Sequence, residues 1–131
     1  RIESHAVDGR VRVSVRLGIG GRFFEGECGE LEGGTGRIRA AAKATLAAVM
    51  EASGGELQLE VTRAQSVRAL GREYVVVGVL AGSERLGRRL RPLLGSHPLG
   101  VSGAGEEDAA ALATLHAVNR VAAAHTSLVT R

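Results

Sequence analysis

The sequence predicts an α+β fold: two β-β-β-α repeats forming antiparallel sheet, with the helices packed on one face. Two Ala-rich segments give the first sign of the repeat. Ala44-Thr45-Leu46-Ala47-Ala48-Val49 and Ala113-Thr114-Leu115-His116-Ala117-Val118 agree at five of six positions, 69 residues apart. The preceding strands agree as well, since Gly9-Arg10 followed by Val13 and Val15 matches Gly71-Arg72 followed by Val75 and Val77 at a spacing of 62. Within each copy the apolar period changes from two, as in a half-buried strand, to the three-to-four spacing of a helix. The two spacings differ by seven, so the second copy carries about seven extra residues, which the sequence reading places within Ser96 to Gly105.

In the first copy, Arg1 to Val7 reads as a short strand and Asp8-Gly9 as a turn. Val11, Val13, Val15 and Leu17 then alternate with Arg12, Ser14 and Arg16, the pattern of a strand with one face buried. Gly18 to Gly21 supplies a hairpin turn and Arg22 to Cys28 the return strand. The glycine-rich stretch from Gly29 to Gly36 leads into a helix from about Arg37 to Ala52, stopped by Ser53-Gly54-Gly55. Ile38, Ala42, Thr45, Leu46 and Val49 share one side of that helix, with Arg39, Lys43 and Ala47 on the wet side.

The second copy predicts strands near Leu57 to Arg63, Gly71 to Leu80 and Arg85 to Arg91, the last with an alternative extension through Leu93 to Val101, and a helix from about Glu106 to Ala124. Glu106, Glu107 and Asp108 suit the helix N-terminus, where the peptide dipoles favour negative charge. Leu112, Leu115, Val118 and Ala122 form its core stripe. Ala110, Ala113, Ala117, Val121 and Ala124 form a second stripe, expected against the other helix.

At 131 residues the chain has the size of a single domain, 1–131, divided into units 1–54 and 55–131. The composition is 44% hydrophobic but only 2% aromatic, so the core must be Val, Leu, Ile and closely packed Ala, which requires short distances between elements. The single cysteine, Cys28, excludes an internal disulfide and suits a reducing compartment. No apolar run is long enough for a membrane span, and the expected location is cytoplasmic. The net charge of +3 comes almost wholly from arginine.

The strand from Tyr74 to Leu80 is apolar on both faces: Val75, Val77 and Val79 on one, Tyr74, Val76 and Leu80 on the other. Strands of this kind are normally covered twice. Tyr74, Val76 and Leu80 are therefore the expected interface of a homodimer, or of contact with a parent-protein domain. Gly34, Thr35, Gly36, Arg37 and Arg39, where a glycine-rich loop meets a helix N-terminus, are the candidate site for a small anionic ligand. The P-loop pattern is absent, because Gly-Arg-Ile stands where Gly-Lys-Ser/Thr is required. Arg10, Arg12 and Arg16 on one strand, with Arg85, Arg89 and Arg91 on another, suggest a nucleic-acid face; the nearby Glu25, Glu27, Glu30 and Glu73 suggest cross-strand pairing instead. The histidines and Cys28 read as structural. No carboxylate pair, Ser-His-Asp set or metal-ligand spacing emerges, so neither catalysis, a metal nor a cofactor is expected.

The duplicated strand order, with Gly34-Thr35-Gly36-Arg37-Ile38-Arg39-Ala40 leading into an Ala-rich helix, resembles the C-terminal regulatory domain of 2-isopropylmalate synthase. Arg37 and Arg39 stand where that family's helix start carries proline and aspartate. The resemblance implies a dimerising domain with an amino-acid effector bound between units. The run from Ala113 to Arg120 is also similar to repeated domains in uncharacterised proteins of high-GC bacteria, and the first unit is similar in strand order to a double-stranded-RNA-binding domain. Together these readings lead to the expectation of a non-catalytic dimerisation or regulatory module, with nucleic-acid binding as the alternative.

Overall fold

The structure is a computed structural model that describes residues 2–7, 9–31, 35–83, 90–100 and 105–125, excluding the side chains of 7, 31 and 120–125. Two antiparallel meanders each end in one helix. β1 (Ile2–Val7), β2 (Arg10–Ile19) and β3 (Arg22–Leu31) form a three-stranded sheet in that order, followed by α1 (Gly36–Ala52). β4 (Gln58–Ala69), β5 (Arg72–Gly82) and β6 (Arg91–Pro98) form a second sheet in that order, followed by α2 (Glu106–His125).

Alternation decides which side of each sheet meets its helix. Val11, Val13 and Val15 on β2 and Val75, Val77 and Val79 on β5 are buried, whereas Arg10, Arg12, Arg16 and Arg72 on the same strands are exposed. Each central strand thus presents a row of branched side chains to the interior. α1 lies on β2 and β3, α2 lies on β5 and β6, the helices touch one another, and α1 also reaches β4. The two units share one interior, in which Ile38 and Leu46 of α1, Leu57 and Val118 of α2 belong to the same buried cluster as the strand valines.

A glycine on each edge strand sets the distance between helix and sheet. Gly26 pairs with Val15 and faces α1 so closely that a methyl group there would overlap the carbonyl oxygen of Ala44 and lie 2.6 Å from the nitrogen of Ala48. Gly95 pairs with Val77 and meets α2 in the same way, at the carbonyl of Ala113 and 2.6 Å from the nitrogen of Ala117. The helix backbone itself rests on the sheet, with alanine methyls at its sides. Thr45 and Thr114 complete the correspondence: each is fully buried and donates its hydroxyl to the carbonyl four residues earlier, Ala41 at 2.7 Å and Ala110 at 2.6 Å. That bond satisfies the only polar atom the side chain carries into the core.

This correspondence corrects where the second copy is longer. Gly26 and Gly95 already show the 69-residue spacing of the helices, while Val15 and Val77 keep the spacing of 62. The additional residues therefore fall between β5 and β6, not within Ser96 to Gly105. The third strand of the second unit is accordingly Arg91–Pro98, within the extension toward Val101 and beyond the expected core of Arg85 to Arg91, and Arg85 and Arg89 lie outside the described residues. β4 runs on to Ala69, past the expected end at Arg63, with an irregularity between Val61 and Arg63.

The helix faces also differ from the expectation. α1 buries Ala40, Ala41, Ala44 and Ala48 besides the predicted stripe, because it has its own sheet, α2 and β4 as neighbours. In α2 the alanine stripe meets the sheet, through Ala113 and Ala117 over Gly95; of the predicted core stripe Val118 is fully buried, whereas Leu112 is 40% exposed and Leu115 is half-buried. Small residues won the sheet-facing side because only they allow the approach that Gly95 permits. Ala122, Val121 and Ala124 of the two stripes lie outside the described side chains.

The hairpins use left-handed turns, whose twist matches that of the strands. Gly20 and Gly21 have φ of 57° and 80°, suited to residues without a Cβ. The β4–β5 hairpin puts Leu70 in the same role at φ 54°, with its side chain 95% exposed. A leucine there is strained and buries nothing in return. Replacing it by Asn, which tolerates this region, is expected to stabilise the fold by about 1 kcal/mol. Thermal unfolding of Leu70→Asn should show a melting temperature a few degrees above that of the wild type.

Candidate functional site

The predicted anion site lies where α1 begins. Thr35 occupies the N-cap without a side-chain capping bond, and α1 has no acidic residue in its first turn. Gly36 is buried, Arg39 is exposed, and Gly34 lies outside the described residues. Arg37 turns toward the other unit, where its Nη1 meets Glu107 Oε2 of α2 at 3.1 Å. The starts of both helices thus converge on a carboxylate that belongs to the chain itself.

Glu107 is held strongly. Burial, the largest single influence, pushes its carboxyl upward. The hydrogen bond from its own backbone N–H, those from Arg37 and from the Ser4 hydroxyl of β1, and the Arg37 charge together outweigh burial and hold it below the usual carboxylate range. Ser4, Arg37 and Glu107 therefore join β1, α1 and α2, linking the first unit to the second. Sequence reading had given Glu107 only the general role of an acidic residue in a first helical turn. Its partner was not visible there because the pair is 70 residues apart.

The outer face of the first sheet is charged and internally paired. Arg12 Nη1 lies 3.2 Å from Glu27 Oε1, the Ser14 hydroxyl donates to Glu27, and Arg16 sits opposite Glu25 in the register. The Arg16 guanidinium also lies over the ring of Phe23 at 4.2 Å, and Phe23 remains 65% exposed. Arginine and glutamate do pair across these strands. At the end of this face a groove of about 410 Å³ opens over Gly29, lined by His5, Arg10, Val11 and Arg12.

The outer face of the second sheet is of a different kind. Tyr74, Val76 and Leu80 of β5 are half-buried on it; Tyr74 pairs with Val67 and Pro98, Val76 with the polar Gln65 and Ser96, and Leu80 with Glu60 and Pro92, while Leu94 of β6 pairs with Gly78 between Val76 and Leu80. Leu94 is 73% exposed. Sequence reading finds the β5 residues from their two-sided apolar pattern but does not assign Leu94 and the prolines to this face, because it centres the third strand too early. Glu60 and Arg63 of β4 stand at the border of the apolar area, both exposed.

The remaining candidate groups have structural roles. His97 and His116 each bring Nδ1 to a backbone carbonyl of β6, Pro98 at 2.9 Å and Ser96 at 3.0 Å. A carbonyl only accepts, so each Nδ1 carries the proton. Cys28 is half-buried on the inner side of β3, and burial pushes its thiol up, against the pull of Lys43, which itself pairs with Glu30. Such a thiol is a poor nucleophile. Among the described residues no three of His, Cys, Asp and Glu are gathered to hold a metal ion, and no helix is long and apolar enough to cross a membrane. Compared with known proteins, the chain matches no family model and no curated protein.

The lowered carboxyl of Glu107 sets a pH dependence. A group whose acidity is strengthened by folding adds stability above its ordinary range and loses it as pH falls through the lowered value. Glu107→Gln is expected to cost about 1 kcal/mol at pH 7, the scale of a part-buried charged hydrogen bond. Urea unfolding of both proteins should show this difference shrinking as pH drops below about 4, the ordinary range of a glutamate.

Proposed function

We propose that the chain is a non-catalytic dimerisation and regulatory module, in which a second copy docks on the outer face of the β4-β5-β6 sheet. The contrast between the two outer faces carries the reading. One carries paired arginine and glutamate; the other gathers Tyr74, Val76, Leu80 and Leu94 on neighbouring strands, with Gln65 and Ser96 beside Val76. The two copies of one fold have diverged on this side, and exposed apolar side chains cost free energy unless they are covered.

Charge placement favours a second copy as the cover. Glu60 and Arg63 carry opposite signs at one border, so a two-fold arrangement brings Arg63 of one protomer to Glu60 of its partner. The regulatory half of the proposal, binding of a small anionic metabolite, has its support in the groove over Gly29, which His5, Arg10 and Arg12 line among the described residues. At the α1 start the corresponding cation, Arg37, is engaged with Glu107.

Light scattering tests the reading. The wild type should have twice the mass of one chain, and Val76→Arg should halve it while leaving the circular dichroism unchanged. A wild-type monomer at all concentrations contradicts the proposal.

A further inference from the structure

A sheet offers a partner two surfaces, its face and its free edge. Unpaired backbone groups make an edge the usual template for strand addition. β6 is the free edge nearest the apolar area, and its backbone identifies which groups point outward.

Leu99 N donates to Glu73 O at 2.9 Å, which continues the β5–β6 ladder one step beyond Pro98. Hydrogen-bonded and non-hydrogen-bonded pairs alternate in an antiparallel ladder. Since Glu73 and Leu99 form a bonded pair, residues 91, 93, 95 and 97 turn their backbone groups toward β5, and 92, 94, 96 and 98 turn theirs to the free edge. Two of those four are Pro92 and Pro98, which have no N–H to offer. Of the four outward carbonyls, Ser96 already accepts from His116 and Pro98 from His97. Only Leu94 keeps both an N–H and an unclaimed carbonyl. An added strand bonds through a run of such groups, and here the run is cut to four, the Pro92 carbonyl, the Leu94 N–H and carbonyl, and the Ser96 N–H.

The corresponding edge in the first unit shows that this shortening is not a property of the fold. At the 69-residue spacing, Pro92 and Pro98 of β6 correspond to Phe23 and Gly29 of β3, both of which keep an N–H. The second unit alone has prolines at these two positions and histidines over two outward carbonyls. The same unit carries the apolar face.

We infer that the second copy docks face to face on β5 and β6, through Tyr74, Val76, Leu80 and Leu94, and adds no strand to the β6 edge. The inference rests on the dimer reading above and specifies its geometry. Prolines and capped carbonyls shorten the ladder that edge-to-edge association needs, which favours the face as the route to a closed pair.

Amide hydrogen exchange followed by NMR, at concentrations spanning the monomer–dimer transition seen by light scattering, tests this with the unmodified chain. The amides of Leu94 and Ser96 should keep nearly the same exchange rate in monomer and dimer, whereas strand addition would slow them by about 100-fold or more. Leu94→Arg, at a position exposed enough to leave folding intact, should yield monomer. A dimer in which the Leu94 and Ser96 amides become protected, or one that survives Leu94→Arg, overturns the face-to-face geometry while leaving dimerisation standing. A wild type that never dimerises removes the dimer reading itself, and this inference with it.

Discussion

The seating of each helix on a glycine of its edge strand is the constraint from which the rest of the structure follows. With almost no aromatic side chains, the chain has little bulk to fill a wide gap between helix and sheet. Gly26 and Gly95 close that gap by letting the α1 and α2 backbones rest against β3 and β6, and alanines at 44, 48, 113 and 117 keep it closed. Valines from the central strands then suffice to fill the interior. A close-packed core of small residues depends on distance more than on the size of any one side chain.

The doubling of this unit explains both what the halves share and where they differ. Strand pairing, the glycine seat and the buried threonine are common to both. The outer surfaces are not bound by that constraint, and there the copies have parted: charge pairs on the first sheet, apolar side chains and a shortened edge ladder on the second. The Ser4, Arg37 and Glu107 cluster joins the halves at the start of the helices. It also converts what looks in sequence like an anion-binding helix start into an internal contact.

The repeat was legible because its residues are local and periodic. Ala44 to Val49 and Ala113 to Val118 nearly coincide, and the alternation of Val13 and Val15 against arginine is repeated at Val75 and Val77. The start of β6 was not legible, since neither Arg85 to Arg91 nor Arg91 to Pro98 alternates cleanly and only pairing with β5 decides between them. The orientation of α2 was misread for a related reason. Leucine outweighs alanine on any hydrophobicity scale, but the sheet-facing side was chosen by the room above Gly95, which no local pattern reveals. Within the candidate site, Tyr74, Val76 and Leu80 were visible from their period. Glu107 and the capping histidines acquire their roles from partners far along the chain.

The glycine seat can be tested by adding one methyl group at a time and measuring unfolding free energy in urea. Gly26→Ala and Gly95→Ala each drive a Cβ into helix backbone, which cannot move aside as a side chain can, and each should lose about 3 kcal/mol. Gly29→Ala, on the same strand as Gly26 but with nothing nearer than the Val11 carbonyl at 3.8 Å, should hold its stability or gain slightly. Equal stabilities for all three variants would show that the helices do not rest on these glycines, and the account of the core would fail.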